Sequence, residues 1–234
     1  MSVTQVALSP LEEELYCTIP SVMFSLIDHD KSHRVLEMGY QTIFINCDGY
    51  TREHLDVLFA IMLCYKRANK SYSSSLIFRL SEIQAMLPDI TQQSFYKAQD
   101  HLSSVRHESH AESGRNESGG LFGGTEHTYP SGDMEMDMLF NCYFAQVMFE
   151  SKDFAWETYQ KIQGTELLTL FCYLVFAGKK EPTLTVEGRL LKEILGIKVK
   201  GFNVRISEMA QQLIDVGFIK DFHKNKNHVV FEFT

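Results

Sequence analysis

Residues 185–233 read TVEGRLLKEILGIKVKGFNVRISEMAQQLIDVGFIKDFHKNKNHVVFEF, and the spacing of their apolar side chains decides the fold. Leu190, Leu191, Ile194 and Leu195 give a short helix one apolar face. Gly196 ends it, because glycine enters the left-handed conformation without a Cβ penalty. Lys198, Lys200 and Gly201 form a tight turn. A longer helix then carries Phe202, Ile206, Ala210 and Leu213 at intervals of three and four, one buried stripe, and Gly217 closes it. Phe218–Phe222 and Val229–Phe233 read as two strands around a polar, basic tip, His223–His228. Helix, turn, helix and basic hairpin together are the sequence form of a winged helix. Such a module commonly holds its second helix in the major groove of DNA.

With 234 residues, 44% hydrophobic and 22% charged, the chain can bury one large core or two ordinary domains. Its longest apolar run, Leu167–Ala177, is too short to span a bilayer and fits a buried helix, so no membrane partner is expected. Residues 1–14 lack a basic segment followed by an apolar one, the pattern of a secretory leader. Cys17, Cys47, Cys64, Cys142 and Cys172 are scattered, without the spacing of a zinc site, and suit buried thiols in a reducing cytoplasm. The net charge of −8 opposes phosphate binding if spread evenly, but it is not spread evenly. Residues 1–150 hold 10 Lys+Arg against 20 Asp+Glu, whereas residues 151–234 hold 12 against 10. The positive excess gathers at Lys198, Lys200, Arg205, Lys220, Lys224 and Lys226.

The order of elements in the C-terminal half recurs, diverged, in the N-terminal half. Thr51 caps a predicted helix to Lys66, a short strand follows around Ile77–Arg79, and Ser81 with Gln84 has the spacing of a capping box for Glu82–Leu87. Pro88 breaks that helix, and Thr91 starts another with Phe95, Ala98, Gln99 and Leu102 on its inner side. Leu87 and Leu102 precede Leu195 and Leu213 by 108 and 111 residues, so order and spacing agree although identity hardly does. The expectation is an α+β protein of two tandem winged-helix domains, mainly helical with small β-hairpin wings. Residues 1–35 are expected as a tail and lead-in, 36–132 as the first domain and 133–234 as the second. Residues 103–132, rich in Ser, Gly, His and Glu, are expected as a mobile loop or extended wing, since they carry little apolar surface to offset ordering.

The Phe140-Asn141 lead-in to the second domain, the apolar helix Leu167–Phe176, the run Leu190–Ile197 and Ile206–Ile219 resemble the iteron-binding plasmid replication initiators. The resemblance covers about residues 40–234 and is better in the C-terminal half. It implies two winged helices joined by a long linker and binding to origin repeats. It also implies a dimer that represses its own gene and a monomer that initiates replication. The acidic first domain and the long polar segment Val105–Gly124 depart from that pattern.

On the second helix of the C-terminal module, Asn203, Ser207 and Gln211 share one solvent face, with Arg205 on a neighbouring one. Asn and Gln can bond bidentately to adenine and Arg to guanine, whereas Lys198 and Lys200 suit phosphate. Lys224, Asn225 and Lys226 at the wing tip suit phosphate or a minor groove, and protonation of His223 and His228 would add charge beside them. In the first module Thr91, Gln92, Gln93, Tyr96 and Lys97 occupy the corresponding helix start. The bland reading of each surface is a solvated helix face or hairpin turn. His29, Asp30 and His33, and His107 with His110, have spacings a metal could use, but no further ligands are arranged around them. No metal, no cofactor and no catalytic residue is expected, since neither a phosphate-cradling glycine loop with its lysine nor a Ser/His/Asp grouping is readable. The expected function is a cytoplasmic, non-enzymatic replication initiator. Its expected partners are double-stranded DNA with repeated sites, host replication proteins and a second copy of itself. A transcriptional repressor on the same modules is one alternative. A protein-interaction module that has lost DNA binding is another.

Overall fold

Two helical pairs, each leading into a β-hairpin, repeat along the chain of this computed structural model, which describes residues 33–38, 41–46, 51–68, 71–104, 106–111, 116–120, 122–128, 134–197 and 200–234. The N-terminal half runs β1 (His33–Met38), β2 (Gln41–Asn46), α1 (Arg52–Ala68), β3 (Ser75–Arg79), α2 (Leu80–Gln84) and α3 (Gln92–Ser104). It continues through β4 (Arg106–Ala111), β5 (Asn116–Gly120), β6 (Phe122–Thr128) and β7 (Met134–Phe140). The C-terminal half runs α4 (Cys142–Glu150), α5 (Trp156–Lys161), α6 (Thr165–Ala177), β8 (Thr183–Glu187), α7 (Gly188–Leu195), α8 (Phe202–Asp215), β9 (Ile219–Asn225) and β10 (His228–Phe233).

The two halves share one sheet topology. Strand order is β3-β7-β6 in the first module and β8-β10-β9 in the second, all antiparallel. In both, the strand that precedes the helix pair lies beside the returning strand of the wing. The architecture is thus α+β, with the strand–helix–helix–hairpin order of a winged helix occurring twice. The first copy differs by an insertion: β4 and β5 leave the wing and join β1 and β2 in a separate sheet of order β1-β2-β4-β5.

Three expectations are adjusted. Of the two readings of 103–132, mobile loop or extended wing, the described residues follow the second in part: β6 pairs with β7 as the wing, while β4 and β5 pair with each other and β4 with β2, so the backbone groups of a polar, glycine-rich stretch find partners. The boundary between 132 and 133 falls inside the first module, since β7 pairs with both β3 and β6 and belongs to that domain. Helix α2 starts at Leu80 rather than Glu82, because the Glu82 carboxylate accepts the Arg79 N–H at 2.8 Å and fixes the first turn there. The lead-in 1–32 lies outside the described residues. The C-terminal helices match their expected spans closely: Gly196 ends α7 in the left-handed region at φ 63°.

Helices α1 and α6 carry long runs of buried residues, Val57–Tyr65 and Leu167–Phe176, as helices inside a core do. They meet through an aromatic cluster. Phe59 lies 4.7 Å from Tyr159 and 5.6 Å from Phe171 between ring centroids, and Phe171 continues to Phe218 at 4.6 Å. Polar contacts close the same joint. Asp56 accepts from Arg52 Nε at 2.8 Å and from the Tyr159 hydroxyl at 2.6 Å, and the Trp156 indole donates to the Met86 carbonyl at 3.1 Å. Burial raises the Tyr159 phenol pKa, and the Asp56 carboxylate raises it further. Lys66 bridges to Asp153 at 2.7 Å, with its pKa lowered by burial and partly restored by that carboxylate. Among the described residues no helix is long and apolar enough to cross a membrane.

Candidate nucleic-acid interface

Helix α8 buries Phe202, Ile206, Met209, Ala210 and Leu213 and turns its opposite side to solvent. Asn203 and Gln211 are exposed there and Ser207 is half-buried, so the predicted polar row exists. The wing crosses one end of it. Lys224 of β9 donates to the Asn203 carbonyl at 3.0 Å and to the Ser207 hydroxyl at 2.8 Å, and Ser207 Oγ donates in turn to the Asn203 carbonyl at 2.7 Å. This staple sets the angle between hairpin and helix. Gln211 reaches along the helix to Asp215 at 2.9 Å. Arg205 points the other way and pairs with Glu166, in the first turn of α6, at 2.7 Å. The structure therefore brings Asn203, Ser207 and Lys224 together and sets Arg205 apart from them.

Beyond the staple, a cleft of 420 Å³ opens between the wing tip and the starts of α7 and α8. Arg189, Lys192, Lys224 and Lys226 line it together with Glu187, and Arg189 pairs along its helix with Glu193 at 3.1 Å. Asn225 shapes the tip, its side-chain oxygen accepting the Lys226 N–H at 2.8 Å, and the Gly188 N–H donates to the Asn227 carbonyl at 2.7 Å. The second bond ties the turn to the start of α7. Arg189 and Lys192 were not among the residues singled out from sequence. Their signal was available, as two basic residues three apart on the helix preceding the turn, Arg189 near its start and Lys192 in its last turn. Lys192 stays close to Phe202, its ammonium 5.0 Å from the ring centroid. Lys200 is exposed on the turn, and Lys198 lies outside the described residues.

On the wing, His223 Nε2 lies 3.1 Å from a Glu232 oxygen and 3.6 Å from an Asp221 oxygen.

The first module builds its corresponding surface from different chemistry. Thr91 is a cap: Ser94 N–H donates to its hydroxyl oxygen at 3.1 Å, and Thr91 N–H donates to Ser94 Oγ at 2.9 Å. Gln92 and Tyr96 both reach the sulfur of Met134 on β7, the amide at 3.6 Å. Gln92 and Tyr96 precede Asn203 and Ser207 by the same 111 residues that separate Leu102 from Leu213, so wing and helix touch at matching helix positions in both copies, although from β7 in the first and from β9 in the second. The first copy joins them through a thioether and the second through an ammonium. Gln93 and Lys97 are exposed on the outward side of α3. Of the histidines considered as ligands, His29 lies outside the described residues, and His33, His107 and His110 lie on strands described by their backbone.

No family model matches the sequence, and no curated protein matches it. Solved structures do. The crystal structure of RctB domains 2-3 is similar at a TM-score of 0.50 and 10% identity, covering 86% of this chain and 91% of that one. A second structure, of domain 2 and domain 3 of RctB, is similar at a TM-score of 0.49 and 13% identity, covering 92% of this chain and 98% of that one. At such identity the likeness is one of fold.

Proposed function

We propose that this protein is a replication initiator that binds repeated sites in double-stranded DNA, and that its C-terminal module makes the principal contact. One observation carries the reading: the wing is fixed to the start of the second helix, and Arg189, Lys192, Lys224 and Lys226 converge on the cleft between them. This lies in the half that holds 12 basic residues against 10 acidic, while the other half is strongly acidic. The outward face of α8 enters the major groove, and the basic cleft and Lys200 take the flanking phosphates. The likeness to RctB domains 2-3 is one of fold and supports the paired architecture on which this reading is built. Opening of an origin would follow from deformation of an AT-rich neighbour and recruitment of host proteins, without covalent chemistry.

Selection of bound DNA from a random pool tests the proposal. Directly repeated sites are the expected result; a single inverted repeat would instead favour a repressor, and no enrichment would leave the protein-interaction alternative. Replacing Arg189 and Lys226 together by alanine is expected to flatten the dependence of log affinity on log salt by about 2, since each lost phosphate contact contributes roughly 0.9. An unchanged slope would remove the cleft from the interface.

A further inference from the structure

Among the described residues three large apolar side chains stand exposed, Ile77, Leu139 and Val204, and Val204 alone lies on helix α8, with 62% of its surface open. At about 100° per residue, Val204 falls almost opposite the midpoint of the buried set Phe202, Ile206, Met209, Ala210 and Leu213. It is therefore the crest of the outward face, in the helix's first turn. The wing, held by Lys224, bounds that face on one side, and the Arg205–Glu166 pair bounds it on the other. Local stability gives no reason for a valine here: a β-branched residue is a poorer helix former than alanine, and this one covers no core.

From this geometry we infer that Val204 is a specificity-determining residue that reads the C5-methyl group of a thymine. The inference rests on the DNA-binding reading and gives it a chemical content at one position. The first turn of a recognition helix is the part that reaches base edges. The only apolar group displayed in the major groove is the thymine methyl, and small apolar side chains pack against it. Glu208, exposed one turn further along the same face, is repelled by phosphate and directs this crest toward base edges rather than the backbone.

The test uses the full chain and the DNA site obtained by selection. Each thymine in turn is replaced by deoxyuridine, which removes only the methyl group. At one position the wild-type protein is expected to lose affinity about three- to five-fold, the effect of one methyl group left in water. The Val204→Ala protein is expected to bind the thymine site more weakly by a similar factor and to be indifferent to deoxyuridine at that position. Helical circular dichroism of Val204→Ala should be unchanged, so misfolding is distinguishable from lost contact. If every deoxyuridine affects both proteins equally, Val204 is an ordinary exposed side chain and the inference falls while DNA binding stands. If the wild-type protein selects no DNA, the functional proposal itself fails and takes this inference with it.

Discussion

His54 occupies the third position of helix α1 and does the work of a capping residue. Its Nδ1 accepts the Thr51 N–H at 3.0 Å and lies 2.8 Å from the Thr51 hydroxyl oxygen. That role requires an unprotonated nitrogen. Burial, and then the charge of His101 whose ring lies 4.3 Å away, lower the His54 pKa from 6.5 to about 4. Between those values the unfolded chain binds the proton and the folded one does not. The contribution is therefore fully present above about pH 6.5 and is lost as pH falls toward 4. Urea midpoints measured from pH 7.5 to 4.5 should fall more steeply for the wild type than for His54→Gln, which keeps an acceptor but does not titrate; parallel curves would contradict this. None of this was legible in the sequence, where His54 is one polar residue in an amphipathic pattern. Likewise the capping spacing Ser81–Gln84 pointed two residues downstream of the true start, because Glu82 happened to reach Arg79 first.

At the scale of elements, what was legible followed from periodicity and glycine. The stripe Phe202–Leu213 placed α8, and Gly196 and Gly201, with φ of 63° and 97°, bracketed the turn before it. The wing was longer than its apolar runs indicated, since β9 extends to Asn225 and the turn contracts to Lys226-Asn227. Met134-Glu-Met-Asp-Met138 carried a signal that composition concealed. Its methionines alternate with acids and are buried at 2%, 1% and 0% exposure, which is a strand's period of two. Strands β4 to β6 had no such signal, because they are polar and glycine-rich and their order comes from backbone pairing, with neighbours for β4–β5 and β6–β7 and across the chain for β2–β4. One close approach between elements can be tested directly. Gly178 ends α6 against the ring of Phe233, where an added Cβ would stand 2.5 Å from Cζ. Gly178→Ala is expected to destabilise by about 1–3 kcal/mol, the usual cost of overpacking. Thermal or urea unfolding measures it, and a neutral change would mean that β10 shifts freely.

For the whole molecule, the joint between modules matters more than either module. Phe59, Tyr159 and Phe171 belong to one contiguous buried cluster, so the two halves are expected to unfold together. The single tryptophan, Trp156, sits in that joint and reports on it. Its fluorescence transition should coincide with far-ultraviolet circular dichroism, and Phe171→Ala should lower stability by about 3–5 kcal/mol without separating the two curves. A fluorescence change that precedes loss of helix would show modules that part before they melt. The outlying sheet has a different bearing, on how the protein comes to exist. β2 finds its partner β4 only after everything from Thr51 to Ser104 has been made. On a ribosome adding roughly 5–20 residues per second, that leaves a hairpin edge open for several seconds in every nascent chain. An open edge is a template for any neighbouring strand. Crowded synthesis is thus the exposed moment for this protein, and weaker induction at an unchanged temperature, which thins the nascent chains without slowing any of them, should raise its soluble yield.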